Sequence, residues 1–267
     1  MSGFKINFRL QELDKVMPFG GEDSFWIHWY ALTDGFLWIE AGEQTLYEYS
    51  EAAHGYFHGC PQYNDYQVAR FVEDFTSKFK YVSESVPEWL FEKAEHIRQE
   101  AYEWKQYHID DPDDVFDVFY DNEFSKLIEW HQKRSFDTLH LVDGPYISIV
   151  RCGDRLKFMW DSDCTTELGC SVWTAPNGLY EMKYCDFVSA ATEFLNNFIE
   201  AMDRQVEAAL IKDWGDISVD KKGLVNNHAE NKIRYYDALS CLMNDKKSED
   251  WSAVSDRYEK MCCELNK

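Results

Sequence analysis

Tyr146 to Trp160 reads YISIVRCGDRLKFMW, and the fold class turns on this stretch. Two runs rich in β-branched and aromatic residues, Tyr146 to Arg151 and Arg155 to Trp160, flank Cys152-Gly153-Asp154, three residues with a Gly at the bend. That is the pattern of an antiparallel hairpin. It follows roughly eighty residues whose apolar positions repeat with a helical period. A second hairpin is expected downstream, where Val172 to Thr174 and Leu179 to Tyr184 flank Pro176-Asn177-Gly178.

Upstream, Phe4, Ile6, Phe8 and Leu10 alternate with Lys5, Asn7 and Arg9, the period of a half-buried strand. Phe25 to Leu32 and Phe36 to Ile39 are read as two more strands, joined as a hairpin through Thr33-Asp34-Gly35, and Gly42 precedes another at Thr45 to Tyr49. From Asn64 the period changes: Tyr66, Ala69, Val72, Phe75 and Phe79 share a helical face. Ser85 and Pro87 open a helix through Leu90, Ala94, Ile97, Ala101 and Trp104. Asp113 or Asp114 is placed to cap the next, with Phe116, Phe119, Tyr120, Phe124, Leu127, Ile128 and His131 continuing the pattern. Asp186 is expected to cap a long helix through Ala190, Phe194, Phe198, Met202 and Leu210. Two more helices are expected near Val219 to Asn244 and Ser248 to Leu265. The order β, α, β, α gives an α+β fold with antiparallel sheets and a helical C-terminal third, not a doubly wound parallel sheet. The chain reads as a single unit, 1–267, with a possible subdivision into 1–140 and 141–267.

Charge is the most distinctive property. There are 27 Lys plus Arg against 49 Asp plus Glu, a formal net charge of −22. Aromatics make up 16% and hydrophobic residues 45% of the chain, so the acidity sits on a folded body rather than a disordered one. Most of the aromatics are expected in the core, with some left as surface anchors. The excess is locally concentrated: Asp110 to Glu123 is DDPDDVFDVFYDNE, without one Lys or Arg. Such a surface repels phosphate backbones and anionic lipid, which argues against nucleic acid and membrane as partners, and it attracts a basic protein. The start, MSGFKINFRLQELDK, lacks the apolar stretch of a signal peptide, and no apolar run reaches spanning length. A cytoplasmic protein is therefore expected, with its 8 Cys reduced and mostly buried as small hydrophobes.

The string PFGGEDSFWIHWYALTDGFLWIEAGEQTLYEYS, Pro18 to Ser50, resembles the opening of an uncharacterised bacterial family, catalogued as a domain of unknown function. The Pro-aromatic-Gly turn, the His-Trp-aromatic-x-Leu-Thr-Asp/Glu-Gly stretch and the aromatic-rich hairpin carry the likeness. YISIVRCGDRLKFMWDSD and the last helices around Trp251 look similar too. The resemblance covers most of the chain and implies no activity and no catalytic residues. Physically, the segment reads as a scaffold: Gly20, Gly21, Gly35 and Gly42 supply turns, and Trp26, Trp29, Tyr30, Phe36 and Trp38 pack both faces of a sheet. His28 reads as a hydrogen-bonded histidine beneath a loop, or else a pocket residue.

Catalytic signatures are sparse. His54 and His58, four apart, with Cys60 two further on, could reach one zinc, but Gly55 and Gly59 weaken a helix there and a fourth ligand would come from afar. There is no HExxH. Cys164 and Cys170 are spaced too widely for a zinc pair. Asp161-Ser162-Asp163, at a strand end, could bind a divalent cation or act as acid and base, although Asp and Ser also favour plain turns. Asp110, Asp111, Asp113 and Asp114 lack the order of a calcium loop. No GxSxG, GxxxxGK[ST] or GxGxxG occurs.

These observations lead to a non-enzymatic acidic binding protein that needs no cofactor. The favoured form is an immunity protein that occludes a basic toxin domain through Asp110, Asp111, Asp113, Asp114, Asp117 and Asp121. A metal-dependent hydrolase using His54, His58 and Cys60, or Asp161 and Asp163, is the alternative from another class. A scaffold or regulatory interaction protein is a third.

Overall fold

A computed structural model describes residues 3–21, 24–244 and 249–266. The alternating N-terminal stretch forms β1 (Phe4–Leu10). A short antiparallel pair, β2 (Phe19–Gly21) and β3 (Ser24–Ile27), follows. Residues Ala31–Thr33 then make a 3-10 turn, and β4 (Asp34–Ala41) runs the length of β1 in antiparallel register, Ile6 opposite Ile39 and Leu10 opposite Gly35.

The hairpin expected across Thr33-Asp34-Gly35 is therefore not formed. The peptide folds over at His28 to Tyr30, and β4 pairs with β1 instead of with its sequence neighbour. Gly35 is not a turn residue: it lies within β4, where a Cβ would collide with the Arg9 carbonyl across the ladder. Gly42, at φ +65°, does make the tight turn into β5 (Gln44–Leu46). His28 and Trp29 consequently lie outside any strand. His28 Nδ1 accepts the Tyr30 N–H at 3.1 Å, with its ring 4.1 Å from Phe19, as the structural reading of that residue requires.

After α1 (Glu51–Tyr56), capped by the Ser50 hydroxyl on the Ala53 N–H, comes β6 (Asn64–Gln67), which pairs with the first half of β4. Tyr66 thus belongs to a strand and not to the helical face. The helix begins at Val68, as α2 (Val68–Ser77), with α3 (Phe79–Val82) behind it. The helix expected from Pro87 to Trp104 is divided at Ala94 to His96 into α4 (Glu88–Lys93) and α5 (Ile97–Tyr107). A continuous helical rod follows: α6 (Asp113–Phe119), one π-helical turn (Tyr120–Phe124) and α7 (Ser125–Lys133). Asp113 and Asp114 occupy its first turn, where carboxylates favour the helix dipole, while Pro112 holds the cap position.

The second sheet is β7 (Ser135–Phe136), β8 (Tyr146–Cys152), β9 (Arg155–Asp161) and β10 (Asn177–Lys183), in the order β10-β9-β8-β7. Its central hairpin is the one read from Tyr146 to Trp160. The second expected hairpin is replaced by pairing of β10 with β9, and Trp173 bridges to Tyr49 instead. Helix α8 (Tyr184–Ile211) starts from a Lys183 cap, with Asp186 inside its first turn. β11 (Ser218–Val219) lies parallel to β3, a two-residue exception to the antiparallel rule. Asp220 caps α9 (Lys221–Leu242) and Asp250 caps α10 (Trp251–Glu264). Ser248, where the last helix was expected to start, lies outside the described residues.

Two apolar cores result. The larger one packs α8, through Phe187, Phe194, Phe198 and Met202, against β1, β4 and the second sheet; Phe8 meets Phe194 and Phe198 edge-on at 5.8 and 5.6 Å. The smaller one gathers Leu90, Phe91, Ile97, Trp104, Leu127, Trp130 and Met261 from α4, α5, α7 and α10. The second sheet separates them. Ile147, Ile149, Phe158 and Trp160 face the larger core, while Val150 and Met159 on the opposite face meet the smaller. Aromatic richness is thus largely core: Trp29, Trp104, Trp130 and Trp173 are all buried. The eight cysteines are free, but none is fully buried, which corrects the expectation for them. Among the described residues, no helix is long and apolar enough to cross a membrane.

Candidate functional site

The acidic run occupies the turn after α5 and the exposed side of the α6 rod. Asp110, Asp113, Asp114, Asp117 and Asp121 are exposed, and Asp111 is half-buried. Asp113 and Asp117 are spaced i, i+4 and so follow one another up the helix, with Asp121 continuing the row across the π turn. The helix is amphipathic in an unusual way. Phe116 and Phe119 turn inward, but Val115 (49% exposed) and Val118 (63%) face solvent among the carboxylates. Tyr107 and Ile109, exposed at the end of α5, extend this apolar component.

Elsewhere on the surface many carboxylates are engaged by cations. Arg155 binds Glu88, Glu92 and Glu181 at 2.7–3.1 Å. Asp203 takes His228 and Lys232, both at 2.8 Å. Glu73 takes Arg234 at 2.7 Å, and Glu123, the last acid of the run, takes Lys260 at 2.9 Å. Among the described residues no such partner stands beside Asp110, Asp113, Asp114, Asp117 or Asp121. Asp111 is the exception: it accepts from His108 Nδ1 at 2.7 Å, while His108 Nε2 meets Glu264 at 2.9 Å and Trp104 Nε1 donates to Glu264 at 2.6 Å. Burial works against charge on His108, but the hydrogen bonds and charges of Asp111 and Glu264 prevail and raise its pKa. The network ties the turn carrying the acidic row to α10, so this row stands on an anchored support.

A second feature is a two-chambered cleft between α5, α7 and the open face of the second sheet. Its chambers, about 830 and 380 Å³, share Arg98, Tyr102, His131 and Tyr146 at the waist. Register explains the floor. Tyr146, Asp161 and Asn177 are cross-strand neighbours, and so are Ser148, Met159 and Leu179, so two rows of three side chains point to the same side. His131 is buried; its Nδ1 lies 3.3 Å from the Ser135 hydroxyl, which in turn sits 2.8 Å from that of Ser148. Burial, reinforced by Arg98 and Arg134, pushes its pKa down to about 4, so the ring is neutral at pH 7. None of these waist residues stood out in the sequence, because Arg98, Tyr102, His131 and Tyr146 come from four places with no shared motif. Periodicity had assigned His131 to a core face, which is half of its role.

Of the residues considered for metal chemistry, His54 and Cys60 do come together, Nδ1 to Sγ at 3.1 Å, on an exposed segment. Burial raises the Cys60 pKa, and Asp65 adds to this, so the thiolate is disfavoured. His58 does not complete a triad with them. Asp161 lines the cleft, whereas Asp163 does not. Among the described residues, no three His, Cys, Asp or Glu are grouped so as to hold a metal ion.

The model of a family of unknown function (DUF5984) matches residues 5–257, in keeping with the resemblance read from Pro18 to Ser50. No curated protein and no solved structure matches the chain.

Proposed function

The chain belongs to this family of unknown function, and from its own geometry we propose that it is an acidic binding protein that docks a basic protein partner through the α6 rod. The observation that supports this best is the make-up of the rod's exposed side. Among the described residues the row Asp110, Asp113, Asp114, Asp117 and Asp121 stands without cations, is contiguous along one helical rod, and is interleaved with exposed Val115 and Val118. Unmatched like charge costs stability through self-repulsion, and a basic partner relieves that cost. Exposed apolar groups within the row give the contact a desolvated centre, with the carboxylates as steering and rim.

The form of this function that fits best is immunity: occlusion of a basic toxin domain, in the cytoplasm, without chemistry of its own. Folded body, extreme acidity and an anchored acidic helix all suit a fast-associating protector. A metal-dependent hydrolase finds less support, since His54 and Cys60 pair without a third ligand. The test is co-expression with the product of the reading frame next to this chain's own gene, which the proposal expects to be a basic domain. The proposal expects a one-to-one complex and rescue of growth. It further expects both to fail when Asp110, Asp111, Asp113, Asp114, Asp117 and Asp121 are replaced together by Asn. Rescue that survives this replacement removes the α6 rod from the mechanism.

A further inference from the structure

The cleft is independent of the acidic row, and its chemistry is more specific. At the waist, the Arg98 guanidinium lies 4.0 Å over the Tyr146 ring. In a chain where carboxylates outnumber cations, Arg98 has no carboxylate within ion-pair distance among the described residues. Stacking on Tyr146 fixes its plane and leaves N–H groups at its edge, the geometry with which Arg recognises a carboxylate. On the same side of the sheet, directly across from Tyr146, stands Asp161, also without a cation among the described residues. The other carboxylates around the cleft each have a partner. Glu95 accepts from Lys157 at 2.8 Å, Asp137 takes the Leu139 N–H at 2.8 Å, and Asp74 faces His140 at 3.7 Å and shares a field with Lys78. Beside this cation and anion runs the second row, where Met159 and Leu179 supply apolar surface.

We propose that the larger chamber binds a free α-amino acid with an apolar side chain. Its carboxylate sits on Arg98, its ammonium on Asp161, and its side chain against Met159 and Leu179. A chamber of about 830 Å³ lies within the range of small-molecule sites, roughly 300–1,000 Å³. A zwitterion also answers the electrostatic problem. A protein of net charge −22 repels a simple organic anion at long range, but a ligand of zero net charge is not repelled, and each of its ends finds one unmatched group. His131 is buried beneath and neutral, so Arg98 supplies the positive charge at the waist.

The probes are L-leucine and L-phenylalanine, titrated calorimetrically into the intact protein beside N-acetyl-L-leucine and L-leucinamide. The free amino acids are expected to bind, and each blocked form at least tenfold more weakly. Arg98→Gln and Asp161→Asn are each expected to lower affinity at least tenfold, whereas Glu193→Gln, on the exposed side of α8, leaves it unchanged. Because the blocked ligands are tested on unaltered protein, the result does not depend on the variants folding. No heat from either amino acid overturns the proposal. So does N-acetyl-L-leucine binding as well as L-leucine, which would mark a carboxylate site with no use for Asp161.

Discussion

Replacing Glu84 by Gln removes the charge, and one acceptor, from the most deeply buried ion pair among the described residues. Arg134 Nη2 donates to Glu84 Oε2 at 3.1 Å, with the two side chains 0% and 2% exposed. Glu84 Oε1 takes the Glu249 N–H at 3.1 Å, just before α10. The amide is isosteric but keeps only one acceptor oxygen, so the charge that balances a buried guanidinium is lost together with one of the two accepted hydrogen bonds. Breaking such a pair from one side costs about 3–5 kcal/mol. The field of Glu249 also favours charge on Arg134, so the lower end applies, about 3 kcal/mol. For a chain of this size, that is a fall in Tm of about 6–12 °C. Urea unfolding of wild type and Glu84→Gln, followed by circular dichroism, measures it. Hydrogen exchange should show α10 opening first, since Glu84 holds the segment leading into it. A loss below about 1 kcal/mol would refute the claim that this pair locks α10 onto the smaller core.

The exposed carboxylates act in the opposite direction. Asp117→Asn with Asp121→Asn should raise stability by a few tenths of a kcal/mol to about 1 kcal/mol by relieving repulsion, whereas Asp113→Asn, which forfeits a helix-dipole contact, should not; thermal melts at low ionic strength read the difference. For His131 the folded pKa lies near 4, below its unfolded value near 6.5. The unfolded chain therefore binds the proton first, and stability is lost as pH falls from about 6.5 towards 4, by at most about 3 kcal/mol. His131→Gln should flatten that part of the pH profile, and an unchanged profile would show that the ring is not buried neutral. Gly35→Ala should cost about 1–3 kcal/mol, because the added methyl meets the Arg9 carbonyl and the Leu10 backbone across the β1–β4 ladder; urea midpoints report it.

Local pattern carried the reading of the fold wherever an element is decided by its own residues. The β1 alternation, the Tyr146–Trp160 hairpin and the α8 stripe were all legible, because each buries one face at a fixed period. Pairing between distant strands was not. Nothing in Phe25 to Ile39 says that β4 leaves β3 for β1, since that choice is made by the core that β1, β4 and α8 form together. The same limit applies to Val172 to Tyr184, where β10 prefers the long edge of β9 to a local hairpin. For function, the acidic row was legible because it is contiguous, and the structure adds the exposed valines between its acids. The cleft was invisible, because Arg98 and Asp161 are sixty-three residues apart and come to one cleft only through Tyr146, over which Arg98 lies and which is in register with Asp161.

The most direct test of the account is the association rate with the product of the neighbouring reading frame, expected to be a basic protein, measured by stopped flow at several salt concentrations. Wild type should associate fast at low salt and slow steeply as salt rises. The variant with Asn at positions 110, 111, 113, 114, 117 and 121 should associate about 10–100-fold more slowly at low salt, on a flattened salt profile. An on-rate in low salt that the six replacements leave unchanged would contradict the assignment of the α6 rod as the docking face.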